Sequence, residues 1–269
     1  MNKEKKLEKI IKNIKEIKIQ GAKNVAKAAL KAYSLDSSKS TIKKILNTRP
    51  TEPMMQNVLN LAEQGMPINQ IKIHFSLAQE EINKAVFKLI KSKDVIFTHC
   101  HSTNVVQALV YSKKKSKKFE VYNTETRPLF QGRKTARDLK KAKIKVTMFI
   151  DSAMNAALSK EFGTKRVSKI FIGADALAKG GVINKIGSEV LAILAKKHKI
   201  PFYVVADSWK FSKNKIPIEN RKLNEVWDRA PKKIKIKNPA FEFVPKKYLA
   251  GIITEYGLLS YNQFLKKVS

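Results

Sequence analysis

The sequence predicts an α/β protein: a helical N-terminal domain followed by a parallel-sheet C-terminal domain. Two observations predict it. Residues 1–92 repeat apolar side chains at three- and four-residue steps with few strand signals, and from residue 93 short apolar runs alternate with helical stretches. The expected domains are therefore 1–92 and 93–269.

In the first part, Leu7, Ile10, Ile11, Ile14 and Ile17 share a helical face, with Lys5, Lys9, Lys12 and Glu16 on the others. A second helix is predicted over Ala22 to Tyr33 and a third from Pro53 toward Gln64. More helix follows Gly65-Met66-Pro67, clearest from Gln79 to Lys91. In the second part the expected strands are 95–97, 119–122, 145–150, 169–172, 202–205 and 251–254, and a helical stretch follows the first at Asn104 to Val110. Most intervals hold one helix, as parallel βαβ units require. Lys179-Gly180-Gly181 reads as a turn, and Lys210 to Pro239 as a long irregular stretch.

Composition bounds the function. The 269 residues suffice for one large domain or two modest ones, and 43% apolar with 29% charged residues excludes a disordered chain. Lys plus Arg number 55 against 22 Asp plus Glu, a formal net charge of +33. Such an excess suits an anionic partner, whether nucleic acid, acidic membrane or phosphorylated metabolite, and charge alone does not choose. General nucleic-acid binding has only that charge in its favour, with no recognised motif. A single cysteine, Cys100, excludes an internal disulfide framework and any zinc site of paired thiols. No apolar run approaches the ~18 residues of a membrane-spanning helix, and the opening Met-Asn-Lys-Glu-Lys-Lys is no secretory signal, so a cytoplasmic protein is expected.

The strand ends carry the chemistry. Polar clusters follow them at Thr98-His99-Cys100-His101-Ser102, Glu125-Thr126-Arg127-Pro128, Asp151-Ser152, Gly173-Ala174-Asp175 and Asp207-Ser208. Ligands of open parallel sheets bind beyond those ends, although a helix N-cap explains Asp151 and Ser152 well. Cys100 reads either as a small buried hydrophobe or as a reactive thiol. A helix N-terminus and flanking imidazoliums would lower its pKa. His99 and His101 would point to opposite faces of an extended strand, which argues against a metal. Asp175 is either an N-cap or an acid–base group kept protonated in a dry strand mouth, and Gly173 lets the chain turn there. Gly21-Ala22 offers helix N-terminal amides to an anion. Arg49 and Lys185 are cations beside turns, each a ligand contact or a solvated charge. Gly132 permits a close ligand approach or ends a turn.

Four motifs in order then resemble a known family. They are Thr98-His99-Cys100-His101-Ser102, Glu125-Thr126-Arg127-Pro128 with Gln131-Gly132, Gly173-Ala174-Asp175, and Val182-Ile183-Asn184-Lys185-Ile186-Gly187. The family unites eukaryotic-type initiation factor 2B regulatory subunits with isomerases of methylthioribose 1-phosphate and of ribose 1,5-bisphosphate. The similarity continues at Asn238-Pro239-Ala240-Phe241 and at Ile252 to Gly257, so it spans nearly the whole chain. It implies a Rossmann-like C-terminal domain. The isomerases carry a cysteine in the first motif and an aspartate in the third, here Cys100 and Asp175, and the Thr-His-Cys-His-Ser form resembles the archaeal ribose 1,5-bisphosphate isomerases.

By that resemblance, Cys100 moves the carbon-bound proton of an aldose–ketose isomerisation and Asp175 the oxygen-bound ones. Gly21, Ala22, Arg49, Ser102, Gln131, Asn184, Lys185 and Lys210 hold phosphates and hydroxyls. The partners implied are a sugar phosphate, further copies of the chain in a dimer or hexamer, and a nucleotide activator; no metal or cofactor is called for. Two departures stand out. The family's phosphate loop reads Arg-Gly-Ala where this chain has Gln20-Gly21-Ala22, and the loop before Asn184 is one residue shorter than in the isomerases. Phe202 to Phe211 reads more like the regulatory subunits, which makes a non-catalytic initiation factor 2B-like protein the alternative.

Overall fold

Alanine spacing organises the helical part. A computed structural model describes residues 2–219 and 221–268; Met1, Asn220 and Ser269 lie outside the described residues. The first five helices are α1 (Lys3–Lys15), α2 (Ala22–Leu35), α3 (Lys39–Leu46), α4 (Pro53–Glu63) and α5 (Ile68–Leu89). Buried Ala22, Ala26 and Ala29 let neighbours approach α2 closely. Leu30 packs with Met54, Val58, Ile71 and Phe75, and Val25 packs with Ile14, Ile45 and Leu59. α4 starts on Pro53, whose missing N–H costs nothing at a helix start, and Ser38 caps α3 by accepting from Thr41 N at 3.3 Å. At 22 residues, about 33 Å, α5 reaches from the helices to the sheet: Phe75 joins the first cluster, while Ile82, Val86 and Ile90 pack with Ile96, Val121 and Phe171.

The remaining elements are β1 (Asp94–Thr98), α6 (Thr103–Lys114), β2 (Phe119–Thr124), α7 (Gln131–Lys141), β3 (Lys145–Phe149), α8 (Met154–Leu158), β4 (Lys169–Ile172), β5 (Ala176–Ala178), β6 (Gly181–Lys185), α9 (Ser188–Lys197), β7 (Phe202–Val205), β8 (Phe241–Pro245), β9 (Gly251–Thr254), β10 (Gly257–Leu259) and α10 (Tyr261–Val268). Seven strands form the main sheet in the order β10-β9-β7-β4-β1-β2-β3, parallel except for β10 against β9. The chain runs outward from β1 through β2 to β3. It then returns to the other side of β1 for β4, β7 and β9. The order reverses between β1 and β4, where diverging connections open a crevice beyond the carboxyl ends.

The expected α/β class and the six strands are present. Four differences have physical causes. The eight-residue α3 is too short to show a period. Ile68–Leu89 is one continuous helix, whose first half is hard to read in sequence because exposed Ile73 and Leu77 blur its apolar face. A second sheet, β5-β6-β8, stands on the first; its hairpin turn is the predicted Lys179-Gly180 bend, but its strands are only three to five residues long. Finally, β10 turns back on β9 through Glu255-Tyr256. Among the described residues between Phe211 and Ala240, only a three-residue 3-10 turn at Leu223–Glu225 is regular, as expected of that stretch. No described helix is long and apolar enough to cross a membrane.

Two glycines act differently from expectation. Gly132 does not end a turn: it is the second residue of α7, and a Cβ there would lie 1.8 Å from the Thr124 carbonyl oxygen. Gly173 is required because a Cβ would meet Ser102 Cβ and Oγ at 2.5 Å, so its role is clearance rather than turning. Gly132→Ala is expected to destabilise the fold by about 1–3 kcal/mol, since backbone must move to admit the methyl group. Guanidinium denaturation of the two proteins checks it.

Candidate active site

At the crevice between β1 and β4 lies a cavity of about 250 Å³. It collects all ten residues singled out in the sequence: Gly21, Ala22, Arg49, Cys100, Ser102, Gln131, Asp175, Asn184, Lys185 and Lys210. They come from far apart in the chain. Cys100 and Ser102 follow β1, Asp175 follows β4, Asn184 and Lys185 end β6, and Lys210 lies just after β7. The helical part contributes Gly21 and Ala22 at the start of α2, where Gly21 has φ +86°, and Arg49 from the α3–α4 turn. Gln131 opens α7, and its Oε1 is buried without a hydrogen-bond partner.

The local partners explain each placement. Ser102 caps α6, accepting from Val105 N at 3.4 Å. Asn184 donates to Ser188 Oγ at 2.8 Å, and Lys185 Nζ lies 4.9 Å from the Phe241 ring centroid. Buried Lys210 donates to the Ala174 carbonyl at 2.6 Å, tying its loop to that of Asp175. Arg49 Nη2 meets Glu219 at 2.8 Å and Glu52 at 3.2 Å, so two carboxylates oppose its charge. Asp175 precedes a strand, not a helix, and its N–H donates to the Ile183 carbonyl, which removes the N-cap alternative.

The electrostatics correct one expectation and agree with another. Burial pushes the Cys100 thiol up to about 11, although Lys185 opposes the shift. The predicted lowering fails because no imidazolium stands beside it. Burial holds His99 below its ordinary value, and burial followed by the Lys134 charge takes His101 down to about 4, so both are neutral. Nor do the two rings straddle a strand: β1 ends at Thr98, and the rings diverge because Cys100 turns the chain at φ +66°. Asp175 is raised, by burial first, against the pull of Lys210, Lys185 and Arg49.

Not every polar strand end reaches the cavity. Asp151 does not cap its own helix; it accepts from the N–H groups of Thr126 at 2.9 Å and Arg127 at 2.6 Å and braces the loop after β2. Asp207 caps Trp209 N at 2.9 Å and meets His74 at 3.2 Å, outside the cavity. Conversely, Lys23, Glu52, Lys134 and Arg221 line the cavity but were not singled out. Lys134 was legible in principle, one helical turn beyond Gln131; Arg221, in an irregular stretch, gave no signal.

A helical part followed by a mostly parallel sheet, with a cavity at the switch point, is the class of fold the chain presents. Residues 6–261 match the model of the initiation factor 2 subunit family, and the chain belongs to that family. It is 34% identical to the ribose 1,5-bisphosphate isomerase of Methanocaldococcus jannaschii over 279 aligned positions, covering 91% of this chain and 89% of that protein. Among solved structures, translation initiation factor eIF-2B of Pyrococcus horikoshii OT3 superposes with a TM-score of 0.80 at 26% identity, over 94% of this chain and 96% of the other. The 5-methylthioribose 1-phosphate isomerase of the same organism gives 0.78 at 27%, over 97% and 87%.

Glu52 makes the site's electrostatics measurable. Burial raises its carboxyl from 4.5 to about 7, with Arg49 opposing the shift and Asp175 adding to it. Between those values the folded chain keeps a proton that the unfolded chain has lost, so stability falls as pH rises through the window. Glu52→Gln is expected to remove that fall, changing the slope by up to about 1.4 kcal/mol per pH unit. Denaturant titrations between pH 4.5 and 7 measure it.

Proposed function

We propose that this sugar-phosphate isomerase converts ribose 1,5-bisphosphate to ribulose 1,5-bisphosphate. One observation carries the reading: Cys100 and Asp175, from the strands either side of the switch point, open into one cavity lined by six cations, Lys23, Arg49, Lys134, Lys185, Lys210 and Arg221. Two phosphates need such a lining. A methylthio group would need an apolar patch, and the larger apolar side chains at the wall are Ile17 and Phe241.

The chemistry follows from the two groups. The C1 phosphate holds the sugar as a ring, so a proton must reach the ring oxygen as its bond to C1 breaks. Asp175, whose raised pKa favours the protonated form, supplies that proton and afterwards relays protons among the hydroxyl and carbonyl oxygens. The thiolate form of Cys100, a minority at neutral pH because burial raises the thiol, takes the proton from C2 as that bond's electrons form the C1–C2 double bond of an enol. The resulting thiol returns the proton to C1 while the Asp175 carboxylate, having given its own proton to the ring oxygen, takes the one on the C2 oxygen. A sulfur of such basicity, screened by burial, holds a carbon-derived proton against exchange with water until it is returned. The α2 amides at Gly21 and Ala22, with Arg49 and Lys185, hold the phosphates, and Ser102, Gln131, Asn184 and Lys210 orient the sugar. The same reading includes assembly into a homo-oligomer, for which light scattering of the purified chain is the measurement.

Conversion of ribose 1,5-bisphosphate, run beside methylthioribose 1-phosphate, tests the proposal. Cys100→Ser and Asp175→Asn are each expected to lower kcat by about 10²- to 10⁴-fold. Faster turnover of methylthioribose 1-phosphate would overturn the substrate. Unchanged turnover in both variants would overturn the roles. No turnover of either sugar by the parent chain would leave the non-catalytic initiation factor 2B-like reading.

A further inference from the structure

Cys100 has φ +66°, a left-handed backbone conformation uncommon for residues with side chains, in the short connection between β1 and α6, and its partner Thr126 shares it at φ +63°. Such strain persists only where surrounding groups over-determine it. Here both polar groups of the residue are taken by buried threonines. The Cys100 N–H donates to Thr126 Oγ1 at 3.0 Å, and the Cys100 carbonyl accepts from Thr135 Oγ1 at 2.9 Å. Each threonine in turn leads to one of the flanking histidines.

The direction of every proton in these two chains is determined by their ends. His99 Nε2 lies 2.8 Å from the Ile186 carbonyl, which can only accept, so Nε2 carries the proton of the neutral ring. His99 Nδ1 then accepts from Thr124 Oγ1 at 2.5 Å, Thr124 accepts from Thr126 at 3.3 Å, and Thr126 accepts from Cys100. On the other side, Lys134 Nζ donates to His101 Nε2 at 2.9 Å, so His101 Nδ1 carries the proton and donates to Thr135 Oγ1 at 3.0 Å. Thr135 spends its own proton on the Cys100 carbonyl. No hydroxyl is asked to donate twice.

We infer that His99, acting through Thr124 and Thr126, and His101, acting through Thr135, are positioning residues that clamp Cys100 in its left-handed conformation and aim its thiol into the cavity. The first chain ends on the carbonyl of Ile186, next to Lys185, so the thiol and a cavity-lining cation share one frame. Gly187 completes it: at φ +99°, a Cβ there would crowd His99 Nε2 at 3.1 Å. The inference rests on the role proposed for Cys100, but its central test does not require a substrate.

Cys100 is the one cysteine of the sequence, so iodoacetamide labelling reports on it alone. The charged groups that bear on its thiol are Lys185, Asp175 and Asp151, and none is altered by the variants. Thr126→Val keeps the shape and removes the hydroxyl; Thr126→Ser keeps the hydroxyl. Thr135→Val breaks the other chain, which covers the case in which one variant fails to fold. Labelling of the parent is expected to be slow at neutral pH and to rise toward pH 11. In either valine variant it should quicken about tenfold at pH 8, its midpoint moving toward the ordinary thiol value of about 8.5, while Thr126→Ser follows the parent. With ribose 1,5-bisphosphate, the valine variants should lose about 10- to 100-fold in kcat with little change in KM. Parent-like labelling and kcat in the folded valine variants would overturn the clamp. Altered labelling with no turnover by the parent chain would support the clamp and overturn the isomerase reading instead.

Discussion

The site depends on how β1 and β4 lie side by side. Their register pairs Ile96 with Lys169 and Phe97 with Ile170, and at the end away from the cavity Lys169 meets the Asp94 carboxylate in a buried ion pair. At the other end the two connecting loops touch, with Ser102 occupying the space that any side chain at residue 173 would need. Held at both ends, the pair delivers Cys100 and Asp175 to one cavity. A parallel sheet supplies this geometry wherever its order reverses, because consecutive connections there leave on opposite sides.

The helical part closes that crevice. α5 bridges the helices and the sheet, and Asn57 of α4 donates to the carbonyls of Trp209 and Phe211 at 2.7 and 2.9 Å, on either side of Lys210. Closing the crevice puts charge out of water, and the structure compensates by pairing. Arg49 is matched by Glu52 and Glu219, and Lys210 by the Ala174 carbonyl. Unpaired buried ions cost several kcal/mol, so these contacts are a condition of having cations there at all. Only a few of the 55 basic residues take part. The runs at 113–115, 117–118, 140–141 and 232–233 lie away from the cavity and favour anion encounter only through the general field.

Legibility in the sequence followed the strength of local signals. The strands 169–172, 202–205 and 251–254 were readable to the residue, because parallel strands buried on both faces are continuous apolar runs between polar ends. The strands β5, β6 and β8 were not, since none exceeds five residues and Asn184 and Lys185 make β6 look like a loop. For the site, motif order marked ten residues that share the cavity. It could not mark Arg221 or Glu52, which reach it by chain path rather than by pattern.

By itself the sequence determined the class of fold and the strand ends where polar chemistry gathers, while the pairing of Cys100 with Asp175 came only as what the family resemblance implies. The fold class and the strand ends follow from hydrophobic period and from residue types, which are local properties. Only the tertiary structure decided the state of Cys100. A lone thiol between two histidines suggests an acidified cysteine. Burial raises it instead, and burial also keeps both histidines neutral, with the Lys134 charge adding to the effect at His101, while their nitrogens bond Thr124, Ile186, Thr135 and Lys134. Solvation and hydrogen-bond direction depend on what packs around a group, and those neighbours are dozens of residues away in the chain.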